Sequence, residues 1–145
     1  MVHALSEIRR VLVPNGTLID LRPILSSWPI EVVSARAVHE TGHIQDLPLG
    51  LADDHAANES MARAEQNGWF IREAEEFFPF YYSWDSPSEM ENWIADEWEG
   101  FIQLDEGSKR VTRSTWTIGD ADSIVRVKVN MLITRWGKRR SGDEK

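Results

Sequence analysis

Apolar residues recur at helical spacing over the first dozen positions. Val2, Leu5, Ile8 and Leu12 fall on one face, with Glu7, Arg9 and Arg10 off it. This predicts a helix that lays one stripe on a core. Pro14 ends it, because the residue before a proline is pushed out of the α region. Asn15-Gly16 supplies a turn tolerant of positive φ. Leu18-Ile19-Asp20-Leu21 is short, apolar and strand-like. Ile24 to Trp28 reads as a loop. Ile30 to Val38 is β-rich and predicts one arm of a hairpin turning at Thr41-Gly42, with His43 to Leu47 returning.

The period then changes. Leu51 to Asn67 is alanine-rich, with Ala57, Met61 and Ala64 as a thin apolar stripe and Gly68 at the C-cap position of a predicted helix. Trp69 to Trp84 predicts a strand with Phe70, Ala74, Phe78, Phe80, Tyr82 and Trp84 on one face. Phe77 and Tyr81 make its later half apolar on both faces, and Pro79 points to an edge or a bulge. Ser86-Pro87-Ser88-Glu89 carries a capping signal: Ser86 caps, Pro87 takes the first helical position and Glu89 completes the box. The following helix shows Met90, Trp93, Ile94, Trp98, Phe101 and Ile102 on one side. Another helix covers Ser108 to Ile118, weakened by its threonines, and Gly119-Asp120 breaks it. Ile124 to Trp136 alternates as a strand, with Val125, Val127, Val129, Met131 and Ile133 facing one way and Arg126, Lys128, Asn130 and Thr134 the other. The order predicts an α+β fold: a small mixed, largely antiparallel sheet with flanking helices. A single domain over 1–137 carries an insert at about 28–67, and 138–145 is a disordered tail.

Composition narrows the partners. The chain has 145 residues, 24 acidic against 16 basic, and a net charge of -8. That average field repels a phosphate backbone, so nucleic acid is not expected. With no cysteine, disulfides, thiolate chemistry and Cys-ligated zinc are excluded. No apolar run approaches a membrane span and the first residues do not resemble a signal peptide, so no membrane partner and a cytoplasmic location are expected.

The run Leu5-Ser6-Glu7-Ile8-Arg9-Arg10-Val11-Leu12-Val13-Pro14-Asn15-Gly16-Thr17-Leu18-Ile19-Asp20 resembles the late segment of the class I S-adenosylmethionine-dependent methyltransferases. There it forms the helix before the fifth sheet strand, the turn and that strand. Asn15 stands where the family usually has a second glycine. The resemblance implies that the Trp69–Trp84 region is a sixth strand, followed by a helical excursion. It implies that the last strand is a seventh, slotted antiparallel between the fifth and sixth. It covers roughly the C-terminal half of a family member. The first strand, Gly-rich turn and acidic residue with which the family binds its cofactor have no counterpart here. S-adenosylmethionine is thus implied by the family only, and no cofactor-binding or catalytic residue is expected in this chain alone. Either the chain is a natural half-protein or its start is internal to a longer one. The chain is then a binding domain, or needs a partner that supplies the first half. A strand like Thr17 to Leu21, with no neighbouring strand from such a half, is an unpaired edge, and a homodimer is the expected remedy.

Three constellations offer chemistry. Asp20 and Arg22 lie at the end of the first strand, where open α/β sheets bind ligands; they can orient a small substrate, or simply pair with each other. Tyr82 and Trp84, with Phe80, Trp93 and Trp98, can line an aromatic pocket for a small-molecule ligand, or be plain core. His39-Glu40-Thr41-Gly42-His43 matches the H-E-x-x-H motif of zinc hydrolases, in which two histidines share a helical face and the glutamate is general base. Its strand-like context, its Gly42 and its lack of a third ligand favour a turn flanked by two surface histidines, and no bound metal is expected.

Overall fold

A computed structural model describes residues 2–24 and 27–139. In order they form α1 (Val2–Val11), β1 (Thr17–Ile24), β2 (Pro29–Val33), β3 (Val38–His43), β4 (Gln45–Asp46), α2 (Pro48–Gln66), β5 (Phe70–Trp84), α3 (Pro87–Glu97), β6 (Ile102–Gln103), α4 (Glu106–Thr117) and β7 (Ile124–Lys138). The long strand β7 is hydrogen-bonded to β1, β2 and β5, β3 extends the sheet from β2, and β4 pairs with β6 in a second, two-stranded sheet. This is the α+β class with a largely antiparallel sheet. Contacts divide the chain into two units: Met1–Pro23, Ala52–Phe78 and Met131–Lys145 form the first, Ile24–Leu51 and Pro79–Asn130 the second.

In the first unit, Asn15 sits at φ 62° and turns the chain from α1 into β1, the role its short polar side chain allows. The Lys138 N–H donates to the Gly16 carbonyl at 2.9 Å and the next N–H, of Arg139, donates to the Trp69 carbonyl at 3.3 Å. Successive N–H groups of a strand point to opposite edges, so β1 and β5 flank β7. Leu5 of α1, Met61 and Ala64 of α2, Phe70 and Trp136 form the core, with Ile8, Leu12, Leu18 and Trp69 packed against it. The helices therefore cover one face of these strands. The residues that alternate with the core positions, Ile19, Leu21 and Ile71, are 51%, 56% and 44% exposed and occupy the other face.

The second unit is built on the β2–β3 hairpin, which pairs Val33 with Val38 and Pro29 with His43 and shifts register between Ile30 and Glu31. The other edge of β2 pairs Ile30 with Val127 of β7. Ile30, Ile44, Val125, Val127 and Met90 are fully buried. Helix α4 docks on the hairpin through a buried Thr41–Thr112 hydroxyl pair at 2.7 Å, and Thr112 also donates to the Ser108 carbonyl at 2.8 Å.

Several expectations are corrected. The hairpin turns at Ser34–Ala37 rather than Thr41-Gly42: the Ser34 N–H donates to the Ala37 carbonyl, and the Asp122 carboxylate accepts from the Ala35 N–H, each at 2.9 Å. Gly42 serves close packing instead, since a Cβ there would lie 2.6 Å from the Ser108 Cβ. Helix α3 ends at Glu97, so Ile102 enters β6 and Phe101 is exposed. The capping box holds on one side: Ser86 accepts from the Glu89 N–H, while Glu89 accepts from the N–H of Asp85 rather than of Ser86. In β7 the buried set is Val125, Val127 and Val129, then Leu132, Thr134 and Trp136. The buried positions change from odd-numbered in the second unit to even-numbered in the first at Asn130–Met131, so Met131 and Ile133 are not in the buried row and Thr134 is. Pro23 and Ile24 belong to β1; the rest of the expected Ile24–Trp28 loop includes Leu25 and Ser26, which lie outside the described residues. So do the tail from residue 140 onward and the Val2 side chain.

Candidate functional site

In β1 the burial alternates, and Asp20 and Arg22 fall on its half-buried side. Helix α2 supplies the opposite wall in the same unit. Its Asp54 and Asn58, four residues apart, share one helical face, and the Asn58 amide donates to Asp54 at 3.5 Å. Arg22 reaches across: Nη2 donates to Asn58 Oδ1 at 2.6 Å, Nη1 lies 3.9 Å from Asp54 and Nε 3.3 Å from Asp20. Its side chain is only 15% exposed. Yet the buried Nε and Nη1 make no hydrogen bond; the two carboxylates stand near enough to balance the charge but are not aligned to accept. A buried guanidinium donor without an acceptor costs free energy that a ligand or partner group can recover. Asp20 and Arg22 are thus brought together as their spacing suggested. Asp54 and Asn58 were not picked out from the sequence, and the signal for them was their i, i+4 spacing on α2, three strands after β1.

Tyr82 and Trp84 belong to the second unit. They stack at 6.2 Å, and Tyr82 stands 5.1 Å from Trp93 and 5.2 Å from Trp98. Trp98 meets Trp93 at 4.8 Å and Trp28 at 5.4 Å, mostly edge-to-face, the arrangement that ring quadrupoles favour. Tyr82, Trp84, Trp93 and Trp98 are each half-buried. The four predicted binding residues therefore form two pairs in different units.

His39, Glu40 and His43 lie on β3. Four residues of strand span about 13 Å, so the two imidazoles do not share a helical face as the zinc motif requires. His43 Nε2 is 3.5 Å from Glu40. Among the described residues no group of three His, Cys, Asp or Glu side chains is placed to hold a metal. His39 instead edges a cleft of about 180 Å³ that also includes Ser34, Asp120 and Ser123. There the Ser34 hydroxyl donates to Asp120 at 2.9 Å, which anchors the hairpin turn.

The implied cofactor has no cradle among these residues. Strand leads to helix at Leu47, at Asp85-Ser86 and at Leu104-Asp105, and none of these turns contains the glycines that let backbone approach such a ligand. Nor is any described helix long and apolar enough to cross a membrane. Comparison with family models, with curated proteins and with solved structures found no match.

Proposed function

We propose that this chain is a cytoplasmic binding domain built like the C-terminal half of a class I methyltransferase, self-associating and without S-adenosylmethionine binding of its own. One observation carries the reading: β7, last in sequence, lies between β1 and β5. That is the strand order the resemblance implies for the fifth, seventh and sixth strands, reached through a helix and a Pro-Asn-Gly turn. The missing glycine cradle supports the second half of the statement. Asp20 and Arg22 lie within β1 rather than at its carboxyl end, because the strand runs on to Ile24; they are the polar groups proposed to meet a ligand or a partner, since buried Arg22 donors lack an aligned acceptor. Isothermal calorimetry with S-adenosylmethionine tests it. No heat of binding is expected; a micromolar Kd would make the chain a working cofactor domain and overturn the reading.

A further inference from the structure

The free edge of β1 carries one inference beyond this reading. Because the Gly16 carbonyl bonds to β7, even-numbered backbone groups of β1 face β7. Thr17, Ile19, Leu21 and Pro23 then face the other edge, where no strand pairs with β1 among the described residues. Pro23, which has no N–H, sits on this outer edge, so the β1–β7 ladder loses nothing by it, while a ladder formed on the outer edge lacks one bond wherever Pro23 is paired.

We infer that a second copy of the chain occupies this edge, with two β1 strands antiparallel about a two-fold axis at Leu21. The register follows from charge. An axis at Asp20 sets two carboxylates opposite each other, which is repulsive. An axis at Ile19 leaves Arg22 facing Gly16. An axis at Leu21 sets Asp20 opposite the partner's Arg22 and Arg22 opposite the partner's Asp20. It brings the partner carboxylate beside the guanidinium whose buried Nε and Nη1 have no acceptor. On the other face the same register sets Leu21 against its own copy and Ile19 against Pro23, covering side chains that are otherwise exposed. A self-complementary patch of this kind is what a two-fold interface demands.

The inference names the surface for the self-association proposed above and rests on that reading. Sedimentation of the full chain separates the two. The wild type is expected to be a dimer at about 100 µM, a range suited to a small interface. Asp20→Arg and Arg22→Asp are each expected to weaken it about tenfold or more. A one-to-one mixture of the two variants is expected to dimerise again, because each then offers the other opposite charges. That recovery also shows that both variants fold. The chain has no cysteine of its own, so Leu21→Cys should cross-link to itself under mild oxidation. Thr17→Cys, about 27 Å from its copy in this register, should not. A dimer indifferent to both charge variants and to Leu21→Cys would keep the self-association and overturn this surface. A wild-type monomer would overturn both.

Discussion

The two units finish their strands in different ways. In the second, the outer edge of β2 is paired along its length by β3, and α4 is bolted to that hairpin by two buried hydroxyls and a glycine contact. In the first, β1 has one paired edge and, among the described residues, one edge that no strand pairs, and one face of β1 and β5 keeps exposed isoleucine and leucine side chains. A sheet with one solvated face normally alternates apolar and polar residues. β1 does not: Ile19 and Leu21 sit where polar residues belong, and Asp20 and Arg22 sit on the covered side. The second unit also leaves the outer edge of β3 unpaired among the described residues and exposes Val38, Phe80, Phe101 and Ile118; what sets the first apart is that exposed apolar side chains and a covered charged pair alternate along one strand, β1.

The strongest way to break this contrast is in the cores. Phe70 is 1% exposed at the centre of the first unit. Phe70→Ala is expected to cost about 3–5 kcal/mol by urea unfolding. Trp98, half-buried and in contact with Trp28, Tyr82 and Trp93, is expected to cost less, about 1–3 kcal/mol, since part of its ring is already wet. A Trp98 loss exceeding that of Phe70 would show the aromatic cluster to be the principal core and would reverse the description of where burial is concentrated.

Much of this was legible because it is local. The α1 stripe, the Ser86 cap with Pro87, the Gly68 stop and the β5 and β7 strands depend on neighbours within a few residues, and they form at or near the expected places. What was missed depends on distant groups. Thr41-Gly42 looks like a turn, but the glycine is required by Ser108, 66 positions on. The true turn at Ser34–Ala37 has no Gly or Pro; it is held by Asp120 and Asp122, which no local pattern links to it. The change of buried positions in β7 at Asn130–Met131 is invisible in a run whose residues are apolar on both sides of it. In the candidate site, Asp20 and Arg22 were singled out by an expected place at the end of the first strand, which instead runs on to Ile24 and holds them within it. Asp54 and Asn58 were not, because a mostly solvated alanine-rich helix gives little sign of which polar face turns inward.

Gly42→Ala sharpens the account of the second unit. The added methyl meets the Ser108 side chain and, behind it, the Ser108 Cα of α4 rather than open space. Overpacking of this kind costs about 1–3 kcal/mol. Gly42 is not among the positive-φ glycines, so the loss would reflect α4 docking and not turn strain. Thermal unfolding measures it, and a variant as stable as wild type would mean that α4 shifts aside freely and that the hairpin does not depend on it.

The smallest effect concerns the start of α4, for which α1 in the first unit has no acidic counterpart in its first turn. Asp105 Oδ2 accepts from the Ser108 hydroxyl at 2.7 Å and Oδ1 accepts from the Ser108 N–H at 2.9 Å. These two bonds, the hydroxyl first, hold its carboxyl below the usual carboxylate range against a smaller opposing cost of burial. A depressed folded-state pKa means that the unfolded chain binds the proton more readily. The stabilisation is therefore complete above the ordinary aspartate pKa and is lost as pH falls through the lower, folded value. Asp105→Asn keeps a good capping side chain but has no proton to gain. Wild type should be the more stable of the two near neutrality, and its advantage should shrink as pH drops below about 4. Melting both proteins across that range decides it. A constant difference would mean that Asp105 titrates alike in folded and unfolded chains, and that its cap is a matter of hydrogen-bond geometry with no contribution from charge.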